Sequence, residues 1–208
     1  MKIAVIANAL LKEEMLAQGL ANNASVEWLP EIKAVPGADC YIDLLFSAGP
    51  ERIKALQQLH PAMIIVNAVT HTLDELPGNF IRINGWPTFL KRSLAEASGT
   101  NEDLKEKGEQ FLSVFNKKIE WVPDIPGFIT PRVISMIINE AYFTLSEKVS
   151  SKENIDTAMK LGTNYPYGPF EWGEKIGLKN IYDLLNRLTI TNSRYAPSAL
   201  LKKEALPA

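Results

Sequence analysis

The feature that most limits what this chain can fold into is a change of hydrophobic period near Trp121. Before it, short apolar runs alternate with stretches of helical spacing; after it, apolar residues recur at helical spacing almost to the end. Lys2–Ile6, Val26–Leu29, Cys40–Phe46 and Met63–Val66 read as strands, and Leu10–Leu20 and Arg52–Leu59 as helices. Such alternation predicts a mostly parallel sheet. Ser93–Ala97 and Asn101–Phe115 read as helical and Lys118–Val122 as a short strand, after which Pro123 and Pro126 punctuate a turn. Beyond it, the stripe Val133, Ile134, Ile137, Ile138, Ala141 and Leu145 predicts a helix with Thr130 as N-cap and Pro131 in its first position. Ser150 and Glu153 make a capping box for a helix through Met159, which Gly162 is placed to stop. The expectation is α/β followed by all-α, with domains over 1–122 and 123–208.

Composition removes several functions. The formal charge of −2 gives no basic footprint, and Lys and Arg are scattered rather than clustered, so no nucleic acid partner is expected. An apolar fraction of 46% describes an ordinary soluble protein. One cysteine, Cys40, permits neither an intramolecular disulfide nor paired thiolate zinc ligands, and its apolar surroundings make it a core residue. The opening Met-Lys-Ile-Ala-Val-Ile-Ala runs into a charged helical pattern, which is neither a signal peptide nor an apolar span of about 20 residues. No membrane partner and a cytoplasmic location are expected.

Four stretches of the helical half carry a more specific signal. They are Asp124-Ile125-Pro126-Gly127-Phe128-Ile129-Thr130-Pro131-Arg132-Val133, Ile138-Asn139-Glu140-Ala141, Asn154 through Gly162, and Pro166-Tyr167-Gly168-Pro169-Phe170-Glu171-Trp172. In order and spacing they resemble the C-terminal domain of 3-hydroxyacyl-CoA dehydrogenases, and the tail Arg194–Leu201 is similar to that family's closing segment. The first half resembles the family's dinucleotide-binding domain more distantly, through its opening strand, Ala38–Asp43 and Leu94-Ala95-Glu96. The resemblance implies a shortened Rossmann-like domain, an oxidoreductase of fatty-acid metabolism using NAD, and a homodimer paired through the helical domain. Ile134, Ile137, Ile138, Tyr142, Phe143 and Leu145 supply the apolar surface for that pairing.

The sequence departs from the family where a cofactor would sit. A glycine-rich turn after the first strand lets backbone approach a pyrophosphate at a helix N-terminus. Here Ala7, Ala9 and Lys12 occupy the three glycine positions and Leu10 and Leu11 crowd the turn, so no cofactor is expected where the family has NAD. Glu31, at the spacing of a ribose-binding carboxylate, reads as a solvated loop residue. No room remains between Leu29 and Cys40 for the helical segment with which the family helps hold coenzyme A.

The family's chemistry uses a histidine base and a glutamate that polarises it. Aligning on Leu94-Ala95-Glu96 puts Glu96 in the glutamate place and Asn84 in the histidine place, or Ile83 if one residue is gapped; neither accepts a proton at neutral pH. A family asparagine falls at Pro131, which has no amide to offer. Thr70 reads either as a hydroxyl in the substrate pocket or as a turn cap, and adjacent His71 either as a relocated base paired with Glu96 or as a surface residue. The candidate catalytic set is therefore Glu96, Thr70 and His71. Two functions follow: a degenerate pseudoenzyme that holds an acyl-CoA or another subunit, or an active dehydrogenase using relocated groups or a partner subunit's cofactor site.

Overall fold

In the computed structural model, which describes residues 1–22 and 24–206, the chain divides into two units, Met1–Phe128 and Ile129–Ala208. The first is organised around β1 (Lys2–Ile6), whose apolar residues are buried on both faces. β2 (Ser25–Leu29) pairs with one edge of β1 and β3 (Cys40–Asp43) with the other. β4 (Met63–Asn67), β5 (Phe80–Ile83), β6 (Leu94–Ser98) and β7 (Lys118–Trp121) extend the sheet beyond β3. Among the described residues the sheet has seven strands in the order β2-β1-β3-β4-β5-β6-β7, parallel except between β5 and β6. The full dinucleotide-binding order carries one more strand outside β2; the direct passage from β2 to β3 leaves it out.

Side chains alternate across a strand, so β1 sends Ile3 and Val5 to one face and Ala4 and Ile6 to the other. The first face is covered by α1 (Ala9–Leu16), through Leu11 and Met15, and by α3 (Glu102–Ser113), through Phe111 and Leu112. The second is covered by α2 (Pro50–Gln57), through Leu56. Cys40 is fully buried, as its surroundings required.

Ser93–Ala97 was expected to be helical, yet Leu94–Ser98 is strand β6, hydrogen-bonded between β5 and β7. Leu, Ala and Glu are good helix formers, but small residues at 95 and 97 suit a buried strand with neighbours on both sides, and pairing overrides propensity. β5 was not anticipated, because its four-residue run is interrupted by Arg82. The turn after β7 packs with the sheet: Arg82 Nη2 donates to Ile125 O at 2.7 Å, and Gly127 N–H to Val69 O at 2.8 Å. The division between units therefore falls after Phe128, beyond the change of period at Trp121.

In the second unit α4 (Thr130–Ser146) lays Ile134, Ile138, Ala141 and Tyr142 against α6 (Pro169–Ile176), α7 (Leu178–Thr189) and α8 (Ala199–Ala205). Ile129, not Thr130, is the N-cap of α4. α5 (Lys152–Thr163) is capped by Ser151 rather than Ser150, and it runs through Gly162 to Asn164, whose φ of +57° ends it in the left-handed conformation. Asp156 on α5 accepts from Phe170 N–H (2.8 Å) and Glu171 N–H (3.1 Å), satisfying the open first turn of α6. Gly168 makes that approach possible: a Cβ there would lie 2.2 Å from Asp156 Cγ.

Candidate functional site

Open α/β sheets bind ligands outside the carboxyl ends of their strands, where strand order reverses. Here that place lies between β1 and β3, and the ends of β4 and β5 continue it. Four local arrangements line this edge.

The first is the turn after β1. Asn8 is the N-cap of α1, and its Oδ1 accepts from Leu11 N–H at 2.9 Å. One of the N–H groups that such a turn offers to phosphate is thus satisfied by the chain's own side chain. The two leucines part company: Leu11 is buried in the core beside Met15, while Leu10 is 51% exposed. Helical period sends 11 and 15 to the sheet and 10 to the outside, so only Leu10 crowds the turn. Lys12 Nζ lies 5.2 Å above the Trp28 ring, and Glu31 is exposed in the loop after β2.

The second is at the end of β3. The buried Asp43 carboxylate receives Arg52 Nε at 2.8 Å and Nη2 at 2.7 Å, and it also accepts from Leu45 N–H at 3.0 Å. Burial pushes the Asp43 carboxyl above its ordinary value, with Arg52 and the Leu45 N–H pulling it back.

The third is Asn67, the last residue of β4. Its Nδ2 donates to Leu44 O at 3.2 Å and its Oδ1 accepts from Gly85 N–H at 2.9 Å, so one amide links the loops after β3 and β5. Residue 85 has to be glycine for this, because a Cβ would lie 2.8 Å from Asn67 Cγ.

The fourth is the pair at the β5–β6 junction. Asn84 N–H donates to Glu96 O at 2.9 Å, and the two side chains face each other, both buried, with Asn84 Nδ2 3.4 Å from Glu96 Oε2. Asn84 Oδ1 also accepts from Trp86 N–H at 3.3 Å. Ile83 belongs to the apolar core, so of the two possible alignments it is Asn84 that stands against Glu96.

Of the sequence-predicted residues, Glu96 therefore meets Asn84, while His71 has Glu75 as its partner, with Nδ1 2.9 Å from Oε2. Thr70 is half-buried on the loop that carries His71. Sequence reasoning did not single out Glu75 or Arg82. Arg82 is fully buried, bonded to Asp124 and to Ala68 O, and stacked 4.3 Å from the Phe128 ring centroid. A lone arginine between two isoleucines was the available sign of a buried partner.

The sheet and its covering helices define a Rossmann-type α/β unit, which an all-helical unit follows in the chain. Residues 127–206 match the 3-hydroxyacyl-CoA dehydrogenase C-terminal domain. The 3-hydroxyadipyl-CoA dehydrogenase of Escherichia coli is 39% identical over 116 residues, 55% of this chain and 24% of that protein. The 3-hydroxybutyryl-CoA dehydrogenase of Bradyrhizobium diazoefficiens is 28% identical over 218 residues, 95% of this chain and 72% of that protein. In fold, (S)-3-hydroxybutyryl-CoA dehydrogenase from Ralstonia eutropha aligns with a TM-score of 0.74, covering 97% of this chain and 92% of that one at 19% identity. By that match the helical region belongs to the 3-hydroxyacyl-CoA dehydrogenase C-terminal domain family, and the chain spans about a quarter of the first of these relatives.

Proposed function

We propose that this chain binds an acyl-CoA in fatty-acid or related metabolism without the family's NAD-dependent hydride transfer. The observation that carries the reading is Asn84, which faces Glu96 at 3.4 Å in the position where the resemblance puts the histidine. An amide offers hydrogen bonds but does not take up a proton at neutral pH, so the pair keeps its placement and loses its base. The turn after β1 supports the same reading. Its Leu11 N–H is taken by Asn8, Leu10 projects from it, and Ala7 and Ala9 add Cβ atoms where backbone would have to approach a pyrophosphate. These residues do not fit the dinucleotide in its usual pose.

The proposal includes a homodimer formed through the helical unit and a cytoplasmic location. Ile137, Ala141, Val149, Ala158 and Met159 line an apolar groove of about 400 Å³ on α4, α5 and the turn joining them. No helix among the described residues is long and apolar enough to cross a membrane. The test is thermal denaturation with acetoacetyl-CoA, free CoA and NADH added separately. A ligand at 100 times its dissociation constant stabilises by about 2.7 kcal/mol. Acetoacetyl-CoA is expected to raise the melting temperature and NADH to leave it unchanged. A shift with NADH, accompanied by its oxidation when acetoacetyl-CoA is present, overturns the reading and makes the chain an active dehydrogenase.

A further inference from the structure

The loop leaving β4 is held at more points than a simple connection needs. Arg82 Nη1 donates to Ala68 O at 3.1 Å, Gly127 N–H to Val69 O at 2.8 Å, and Leu73 N–H to Asp124 Oδ2 at 2.7 Å. Asn67 fixes the loop's origin through Leu44 and Gly85. At the centre of this frame Thr72 opens a short 3-10 turn (Leu73–Glu75) that folds Glu75 back on the loop. Glu75 Oε2 accepts from Thr72 N–H at 3.3 Å and sits 2.9 Å from His71 Nδ1.

A carboxylate at that distance assigns the proton to Nδ1, which leaves the acceptor lone pair on Nε2. The ring is thus fixed from behind by an anion that is itself fixed by backbone, which is how a general base is oriented. The His71 side chain is 40% exposed, so a ligand can reach it. It also stands at the ligand-binding edge: Asn67 pairs with Ile83, so the His71 loop and Asn84 leave the sheet at the same level. The charged groups on this loop and its frame are Glu75, Asp74, Asp124 and the buried Arg82.

We propose that His71, oriented by Glu75, is a proton acceptor toward a bound 3-oxoacyl thioester, an inference that rests on the acyl-CoA reading above. Nε2 removes a proton from C2, the C–H electron pair passes into the enolate formed with the C3 carbonyl, and the imidazolium returns the proton to C2 or to water. The step needs neither oxidant nor reductant. Glu75 acts only through His71 and is a positioning residue.

The experiment follows acetoacetyl-CoA by two readouts, thermal shift for binding and the ultraviolet band of the enolate in stopped flow for proton removal. Wild-type protein is expected to bind and to develop the enolate band. His71→Gln is expected to bind equally and to lose a factor of about 10² or more in the rate of enolate formation, the usual cost of removing a general base. Glu75→Gln is expected to fall between the two, with the His71 ring ¹⁵N signals shifted, whereas His60→Gln behaves as wild type. Binding without an enolate band, or an equal rate in His71→Gln, overturns this proposal alone. Absence of any thermal shift overturns it together with the acyl-CoA reading.

Discussion

Asn67 and Gly85 show how one residue's chemistry fixes its neighbour's. The Asn67 amide spans two loops only because nothing projects from residue 85 toward it. Gly85→Ala would place a Cβ 2.8 Å from Asn67 Cγ and 2.9 Å from its Cβ, closer than packed atoms sit. Urea denaturation is expected to show a loss of about 1–3 kcal/mol, the range for overpacking at a rigid site. In the Asn67→Gly/Gly85→Ala double variant the obstructing atoms are gone, so the two losses should sum to more than the double shows. Strict additivity would mean that the amide simply moves aside. Asn84 is the complementary case: the backbone of β5 and β6 sets its distance from Glu96, and only the identity of the side chain changes what the pair can do.

At the scale of elements, β7 and the loop before β6 are joined by a buried lysine. Lys117 Nζ donates to Leu90 O and, at 2.8 Å, to Arg92 O; burial pushes its pKa down to about 8, with Glu14 on α1 opposing the shift. The unfolded chain holds this proton up to about pH 10.4, whereas the folded chain releases it near pH 8. Between those values the unfolded state binds more protons, so Lys117 makes stability rise with pH. Tyr142 is pushed the other way by burial and by Glu204, and its contribution falls at the alkaline end. Subtracting urea curves of Lys117→Met from wild type isolates the lysine, and the difference should grow between pH 8 and pH 10. A flat difference would show that folding leaves the ammonium's proton affinity untouched.

The same element explains what the sequence could and could not disclose. β1 and β4 were legible because a strand buried on both faces has to be apolar throughout, and α4 because Ile134, Ile138 and Ala141 of its stripe pack against its own unit. β6 was misread because Leu-Ala-Glu-Ala takes its conformation from β5 and β7, neither of which is adjacent in sequence. In the site, Glu96 and the two candidates opposite it, Asn84 and Ile83, came from the family resemblance, and only strand pairing puts Asn84 against Glu96. The ties to Arg82 were not, since Asp124 lies 42 residues away and only the folded sheet brings the two together.

For the molecule as a whole, the helical unit poses the remaining question of what covers α4 and α5. Of the six apolar residues that suggested self-association, Ile134, Ile138 and Tyr142 are consumed within the unit, where Tyr142 packs 5.0 Å from the Phe170 ring and donates to Glu204. Ile137 and Leu145 remain partly uncovered and Phe143 is 39% exposed, while Val149 beside them is 67% exposed. The apolar groove that Ile137 and Val149 share with Met159 makes this face the expected seat of a second copy. An isologous contact places each of these residues against its own symmetry partner or a near neighbour, so one charge introduced per chain meets a like charge across the axis. Sedimentation velocity at tens of micromolar is expected to report a dimer for the wild type and a monomer for Ile137→Glu/Val149→Glu, with helical circular dichroism unchanged because neither residue is fully buried within its own unit. A wild-type monomer removes self-association from the proposed function, and a dimer that survives the double variant places the contact on another face of the chain.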